Sequence, residues 1–563
     1  MSRLRTMLFR LRYRFTFWNW VTLAAALLFF VLLVLPLIAL VAASFSPPRG
    51  LARAPAEFSV WDTYVEFFSF RYYYGTLINS VIVSVLATLF AVLIGFPLAY
   101  LVNRVELPGK LLIRAAVVLT FVSPPFIGAY AWILLLGRNG LITRTLETVG
   151  VSLPSIYGAQ GIVLVFTLQA FPFVFLLVSS GLRSIDQSLE DAAVNLGQTR
   201  LGALRTVILP LMVPSISTGA LLVFVTTFSD FGTPMIIGEG FRVLAALIYS
   251  EFINEFGGNP RVASTLSVIL LTVTIGALLI QRAYAKRASY GQEAMKSLGV
   301  YRLSTLGRTL AIVFVYGIVL LAFLPTLTIV VSSFLEARGP ILLPSFTLEG
   351  YRLARRLPLA LRNTMMFVTA ATVLCVVVGS LIGYVVSRQK GRLVAAIDTM
   401  SMIPFAVAGV VLGVSLSITF GGAPFFLAGT GTILVLAYFI RRLPYTVRSV
   451  SGMLHQTGEQ QEEASINLGI APALTFLWIT VPQITPALMS GALLTWATTA
   501  REFNSTVMLY VAQTRTLSVE VFTQVLQGNF GAASVVGTVL IMTTVVPIVI
   551  LFRVFGKDEE FLV

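Results

Sequence analysis

The stretch that decides the fold is LEDAAVNLGQTRLGALRTVILP, Leu189 to Pro210, because its heptad DAAVNLG (Asp191–Gly197) returns as EASINLG (Glu463–Gly469), 272 residues later (463 − 191). Both heptads are polar islands in a greasy chain, and each leads into a proline-punctuated apolar stretch. Of 563 residues, 57% are hydrophobic and only 11% charged, with a mean hydropathy of +0.90. A soluble globular domain carries about 25% charged residues, so the composition belongs to another class. Hydrocarbon-spanning helices explain it, each needing ~20 mostly apolar residues. The formal net charge of +15 does not point to nucleic acid, because the basic residues cluster beside apolar runs, as membrane orientation requires. A single cysteine, Cys375, excludes an intrachain disulfide framework, and a single histidine, His455, excludes a histidine-cluster metal site. Cys375 reads as a small packing residue within a span, and His455 as a solvated loop residue.

Apolar runs predict six spans in each half: 21–44, 77–103, 112–136, 158–182, 211–236 and 262–284, then 309–333, 361–387, 396–420, 426–449, 484–509 and 534–556. Pro172 and Pro444 interrupt the fourth and tenth; neighbouring helices can re-satisfy the carbonyls that proline frees. The N-terminal MSRLRTMLFRLRYRFTFWNW is basic and then aromatic. The uncharged run Val21–Ala43 behind it is longer than the roughly 7–15 residues of a cleavable signal core, so it reads as a retained first helix. Placing both termini in the cytoplasm puts about 25 basic residues inside and about 14 outside, including Arg3, Arg5, Arg10, Arg12, Arg14, Arg104, Lys110, Arg114, Arg282, Lys286, Arg287, Lys296, Arg302 and Arg308 on the inner side. The expected organisation is a cytoplasmic N-terminus (1–20), a first half (21–284), a linker (285–308), a second half (309–556) and a short tail (557–563). Both heptads then face the cytosol.

The repeat extends well beyond the heptads. At the same spacing Pro172 matches Pro444, Asn195-Leu196-Gly197 matches Asn467-Leu468-Gly469, Pro210 and Pro214 match Pro482 and Pro486, and Gly219-Ala220 matches Gly491-Ala492. Thr226-Thr227 matches Thr498-Thr499, and Asp230-Phe231 matches Glu502-Phe503. At another offset, Asn79, Gly95, Tyr100 and Arg104 match Asn363, Gly379, Tyr384 and Arg388. Six spans per half make the halves parallel, so an all-α membrane fold is expected, its two repeats related by a pseudo-twofold along the membrane normal.

Good helix formers flank Gly197, and glycine adopts positive φ at little cost, so each loop should fold as two short cytoplasmic helices around a turn. Glu190 and Asp191 are expected to be exposed, available to basic groups of a partner; Glu462 and Glu463 hold these places in the second copy. The small Ala192 and Ala193, or Ala464 and Ser465, would permit close helix approach.

An acidic residue, two small residues, three variable positions, a glycine, then a proline thirteen residues on (Pro210, Pro482) resembles the coupling loop of binding-protein-dependent ABC importer permeases, over about Asn79–Leu270 and Asn363–Thr544. Ser465 departs from the preferred alanine but is also small. The resemblance implies that each loop lodges in a cleft of a cytosolic ATPase and transmits its closure to the membrane helices. The implied partners are two copies of that ATPase and a periplasmic or lipid-anchored substrate-binding protein, in a bacterial inner membrane. The chain contains no G-x-x-x-x-G-K-[ST] loop, so ATP and magnesium would be used by the partner and no cofactor by this chain. Alternating access is the implied mechanism.

Two halves in one chain resemble the fused permeases of ferric-iron importers, and TTFSDFGTPMIIG and TTAREFNSTVMLY most resemble that group; thiamine and phosphonate or phosphate-ester importers are the alternatives. Asp230 and Glu502, near the outer ends of matched spans, are candidates to line the pathway with Arg501, which adjoins Glu502 and offers a structural ion pair instead. Paired carboxylates suit a hard cation. Arg352, Arg355 and Arg356 break the positive-inside trend and are candidates either to dock an acidic receptor or to snorkel toward headgroups. A twelve-helix secondary carrier would transport alone, and a membrane enzyme would need a catalytic constellation that the residues do not offer.

Overall fold

In lipid the backbone must satisfy its own polar groups, which leaves helices for a chain of this pattern. The computed structural model describes residues 17–47, 59–122, 124–253, 258–287, 299–339 and 341–555; the arginines before Phe17, Lys296 and the expected tail lie outside them. Among the described residues ten helices are long and apolar enough to cross a bilayer: Phe17–Ser44, Arg71–Arg104, Phe126–Glu147, Ala159–Arg183, Arg200–Phe228, Pro260–Tyr284, Thr305–Ser332, Leu357–Arg388, Pro472–Ala500 and Phe530–Ile550. The ninth expected span is a bent pair, Arg392–Ala406 and Gly409–Phe420, meeting at 111°. The tenth, Gly431–Gln456, is 26 residues long but carries Arg441, Arg442 and Arg448.

Proline acts differently from place to place. Pro172 and Pro444 leave their helices continuous. The expected third span is instead two helices, Lys110–Val122 and Pro125–Leu136. Pro124 lies between them in an extended conformation, ψ 141°, as a residue before proline must. Three helices widen by one residue just before a proline. The amides of Leu35, Leu209 and Val481 bond back five residues to the carbonyls of Phe30, Leu204 and Phe476, immediately ahead of Pro36, Pro210 and Pro482. A proline ring collides with the carbonyl four residues back, and the wider turn relieves it. Pro210 and Pro482 thus shape the entry to their spans.

The chain forms two compact units, and they interleave the sequence halves. The first joins residues up to 43 with 359–407 and 411–516; the second joins 44–358 with 408–410 and the residues from 517 on. In the first unit, Trp18 stacks on Tyr384 at 4.0 Å between ring centres and meets Phe476 edge-on at 5.4 Å. In the second, Ser332 Oγ and Ser534 Oγ are 2.9 Å apart, and the Tyr130 hydroxyl donates to the Phe530 carbonyl at 2.7 Å. A hairpin of Leu335–Arg338 and Ile341–Phe346, with Leu335 opposite Phe346, follows Thr305–Ser332 there.

Matched glycines set the helix spacing inside each unit. A Cβ on Gly95 would stand 2.8 Å from Val174 Cβ, and one on Gly219 would stand 3.1 Å from Val174 Cα. In the other unit Gly379 and Gly491 approach Thr446 in the same way, at 2.8 Å and 2.9 Å. Val174 and Thr446 occupy one repeat position, so each unit pinches one central side chain between two glycines. Small residues allow this close backbone approach, which supplies packing where lipid offers no hydrophobic gain.

Candidate functional site

The two heptads fold alike. Helix Gln187–Asn195 starts at Asp186, whose Oδ1 accepts the Ser188 amide at 2.9 Å, and the second copy is Gln460–Asn467. Gly197 and Gly469 take φ of +88° and +86°. Around them the Gly197 amide donates to Val194 O (2.9 Å) and Gln198 to Ala193 O (3.1 Å), while Gly469 donates to Ile466 O (2.9 Å) and Ile470 to Ser465 O (3.2 Å). This paired closure satisfies the last helix carbonyls and needs a left-handed residue at the glycine. A second short helix then opens at Arg200 and at Pro472.

Burial sorts the motif residues identically in both copies. Asp191, Ala192, Glu463 and Ala464 are exposed, whereas Ala193 and Ser465 are buried. Ser465 Oγ lies 2.9 Å from Thr475 Oγ1; at the corresponding first-half positions Ala193 and Ala203 are both buried and apolar. The departure at Ser465 is therefore matched by a hydroxyl partner. Leu196 and Leu468, at the turn itself, are 85% and 83% exposed, an unusual place for two leucines and a feature sequence reading left in the motif without a role.

Glu190 departs from its expected exposure. It is buried and ion-paired with Arg104, itself buried at the end of helix Arg71–Arg104. Glu462 is buried too, accepting from the Tyr384 hydroxyl at 2.9 Å and lying 3.5 Å from Arg388, an ionic contact without hydrogen-bond geometry. Arg388 also donates to the carbonyls of Leu454 (3.0 Å) and Thr457 (3.1 Å) and faces Glu459 at 3.5 Å. A carboxylate one residue earlier in the helix points inward, which is why Glu190 and Glu462 anchor while Asp191 and Glu463 face out. The signal was legible: Arg104 matches Arg388 and Tyr100 matches Tyr384 in the repeat, and sequence reading gave neither pair a role.

Each anchor is covered by an aromatic residue near the start of a half's first helix, Trp18 in its first turn and Tyr301 just ahead of it. Trp18 covers Tyr384 and Phe476 in the first unit. In the second, the Tyr301 amide donates to Arg104 O (2.9 Å), its hydroxyl to Tyr100 (3.1 Å), and Arg200 lies over its ring at 4.7 Å. Burial and the contact with Tyr100 push the Tyr301 phenol up. The Gly299 amide donates to Gln187 Oε1 at 2.6 Å, tying the linker to the first heptad helix.

The membrane carboxylates are also sorted. Asp230 and Glu502 are both buried just past a helix end, and each caps the next turn: Thr233 N–H to Asp230 at 3.1 Å, Ser505 N–H to Glu502 at 3.2 Å. Glu502 is ion-paired with Arg442 and lies 3.2 Å from Arg441. Both arginines belong to helix Gly431–Gln456, and sequence reading did not single them out as partners of Glu502. Glu520, fully buried and bonded by Gln524 at 2.7 Å, is a further carboxylate it missed.

Arg352, Arg355 and Arg356 are exposed around the end of helix Glu349–Leu353. His455 is exposed in the last turn of its helix rather than in a loop, and Cys375 is buried, 3.4 Å from the Phe439 carbonyl.

Residues 73–290 match the family described as binding-protein-dependent transport system inner membrane component. The ferric transport system permease protein FbpB of Actinobacillus pleuropneumoniae is 28% identical over 92% of this chain and 76% of its own. A probable molybdenum ABC transporter permease protein of Haloferax volcanii is 32% identical over 36% of this chain and 73% of its own. A putative 2-aminoethylphosphonate transport system permease protein of Salmonella typhimurium is 29% identical over 45% of this chain and 92% of its own.

Proposed function

Because this chain belongs to the binding-protein-dependent transport system inner membrane component family, we propose that it forms the translocation pathway for ferric iron in an ATP-driven importer. It is the membrane-spanning permease of an ABC importer, a multi-pass protein whose role is transport, working with an ATPase and a binding protein. Similarity to a ferric permease along 92% of the chain supports iron as the cargo.

The duplicated heptad carries the mechanical part of the reading. Two ATPase subunits grip the helices Gln187–Asn195 and Gln460–Asn467, with Leu196 and Leu468 seated in an apolar cleft and Asp191 and Glu463 pairing with basic groups on its rim. Force passes inward through Arg104–Glu190 and Arg388–Glu462, since a buried ion pair resists separation more than an exposed one. Gly197 and Gly469 fix the turn, Ala192 and Ala464 leave room for the partner, and Pro210 and Pro482 set the entry to the moving spans. The ATPase supplies ATP and magnesium chemistry, and this chain holds no cofactor. Asp230, Glu502 and Arg501 lie on the pathway, and Arg352, Arg355 and Arg356 receive the loaded binding protein outside a bacterial inner membrane, both termini lying in the cytoplasm.

The test is reconstitution of this chain with its ATPase and binding protein in vesicles. ATP-dependent uptake of radioactive iron is expected, with none from vesicles bearing this chain alone. Uptake of thiamine or 2-aminoethylphosphonate in place of iron would overturn the cargo; uphill uptake by this chain without nucleotide would overturn the importer coupling.

A further inference from the structure

The stretch Gly299–Arg302, just ahead of helix Thr305–Ser332, is laid along the first half's anchor. The Tyr301 amide donates to Arg104 O at 2.9 Å and the Glu106 amide to Tyr301 O at 3.3 Å, a parallel bridge that pairs Tyr301 with Val105. Two guanidiniums approach the Tyr301 ring, Arg200 at 4.7 Å and Arg104 at 5.6 Å. Within the helix itself, the Tyr316 hydroxyl donates to the Pro108 carbonyl at 2.8 Å. The Arg302–Glu106 pair beside them is exposed and adds little. Backbone bonds and a ring, not surface charges, fasten the start of this helix to the segment Arg104–Pro108.

A second tie reaches the heptad helix. Gln187 Oε1 accepts the Gly299 amide at 2.6 Å and Arg104 at 3.3 Å, while Gln187 Nε2 donates to Asp191 Oδ1 at 2.8 Å. The Gly299 carbonyl in turn accepts from Arg104. A side-chain amide accepts at one atom and donates from the other, whereas a carboxylate only accepts. Glutamine at 187 can therefore hold the linker and Asp191 at once. In the second copy the same repeat position, 272 residues on (459 − 187), is Glu459, which gives Arg388 a carboxylate at 3.5 Å. The two copies thus differ in chemistry at the very position where the linker arrives.

We propose that Gly299–Arg302 is a strap joining the first heptad helix to helix Thr305–Ser332, with Gln187 and Tyr301 as its positioning residues. Resting on the importer reading, the strap gives the first ATPase a second line of force besides Arg104–Glu190. It runs from Asp191 through Gln187 to Gly299, and from Arg200 through Tyr301, into a spanning helix. That helix has 28 residues, hence a length of about 42 Å, and its far end runs into the hairpin strand Leu335–Arg338. Displacement of the first loop is delivered by one continuous helix to the hairpin on the outer side.

The test uses the complete transporter in vesicles, with uptake of radioactive iron counted per ATP hydrolysed. Spin labels on Ser188→Cys and Leu306→Cys, both exposed, report the separation of the two strapped helices. A single narrow separation, the same with and without ATP, is expected in the otherwise unmodified chain. Gln187→Glu keeps acceptors for Arg104 and the Gly299 amide but turns an oxygen toward Asp191. Thermal stability should therefore hold while uptake per ATP falls about fivefold, the worth of one neutral hydrogen bond. Tyr301→Ala should lower the same ratio and broaden the label separation; Tyr301→Phe, which keeps the ring, should preserve most of both. The tyrosine pair keeps the strap falsifiable should Gln187→Glu fail to fold. An unchanged ratio in Gln187→Glu and Tyr301→Ala, a ratio that falls only in step with thermal stability, or a label separation that shifts with ATP in the unmodified chain overturns the strap. Absence of ATP-driven uptake by the unmodified transporter overturns the importer reading instead. The label widths then still decide the strap, which equal widths in the unmodified chain and Tyr301→Ala would overturn.

Discussion

Glu190→Gln should damage this protein more than Glu462→Gln, although the two residues occupy one repeat position. Arg104 and Glu190 are buried together, with side-chain exposures of 2% and 5%. After the substitution the partners of Arg104 among the described residues are neutral, namely the Gly299 carbonyl, Gln187 and the Tyr301 ring. Stranding a buried charge in this way costs about 3 kcal/mol. Arg388 loses less in Glu462→Gln, because the carboxylate of Glu459 remains 3.5 Å away and two backbone carbonyls still accept from it, so about 1 kcal/mol is expected. Thermal unfolding of the purified chain should rank the variants: unmodified, then Glu462→Gln, then Glu190→Gln. In reconstituted transporter, Glu190→Gln should hydrolyse ATP while taking up roughly tenfold less cargo, since a ~1.4 kcal/mol loss of mechanical coupling is worth that factor. Equal losses in the two variants, or uptake and hydrolysis falling together, would refute the claim that these pairs are unequal mechanical anchors.

Other outcomes follow from the same structure. Leu196→Asp with Leu468→Asp should leave the fold intact, both side chains being more than 80% exposed, and should abolish co-purification of the ATPase. Gly197→Ala should cost about 1 kcal/mol through backbone strain alone, because φ is +88° and a Cβ there meets nothing within 4 Å; Gly491→Ala should cost more, its Cβ falling 2.9 Å from Thr446 Cα, and thermal unfolding of the pair measures the difference. Burial and the neighbouring Glu66 hold the Glu251 carboxyl above its usual range. Its contribution to stability is therefore complete below the unfolded carboxylate range and is lost as pH rises through the higher folded value, so Tm should fall over that window and Glu251→Gln should flatten the dependence.

Much of this architecture is legible in the residues, because lipid permits few alternatives. Apolar length located the spans, and the spacing around Gly197 and Gly469 located two turns whose left-handed backbone a glycine satisfies. Breaks were harder. Pro124-Pro125 splits a span while Pro172 does not, since two consecutive prolines force an extended residue between helices and one buried proline only removes a donor. The direction a carboxylate faces was also hidden: Glu190 and Asp191 are adjacent, and a helix turns about 100° between them. Arg441 and Arg442 were legible only as an interruption of an apolar run. Their pairing with Glu502, sixty residues on, depends on two helices lying side by side.

The interleaving of units has a consequence for biosynthesis. Trp18 leaves the ribosome 366 residues (384 − 18) before the Tyr384 on which it stacks, which at ~5–20 residues per second is a wait of roughly 20–70 s. During that interval the first turns of helix Phe17–Ser44 lack Tyr384 and Phe476, the rings against which Trp18 packs. The helix can wait because nothing in its 28 residues is charged, so bulk lipid is an acceptable temporary host. A charge introduced on the side of this helix that later becomes buried would thus strike twice, at insertion and again at docking. Nascent chains arrested at successive lengths and probed by Trp18→Cys crosslinking should report the moment the helix is claimed.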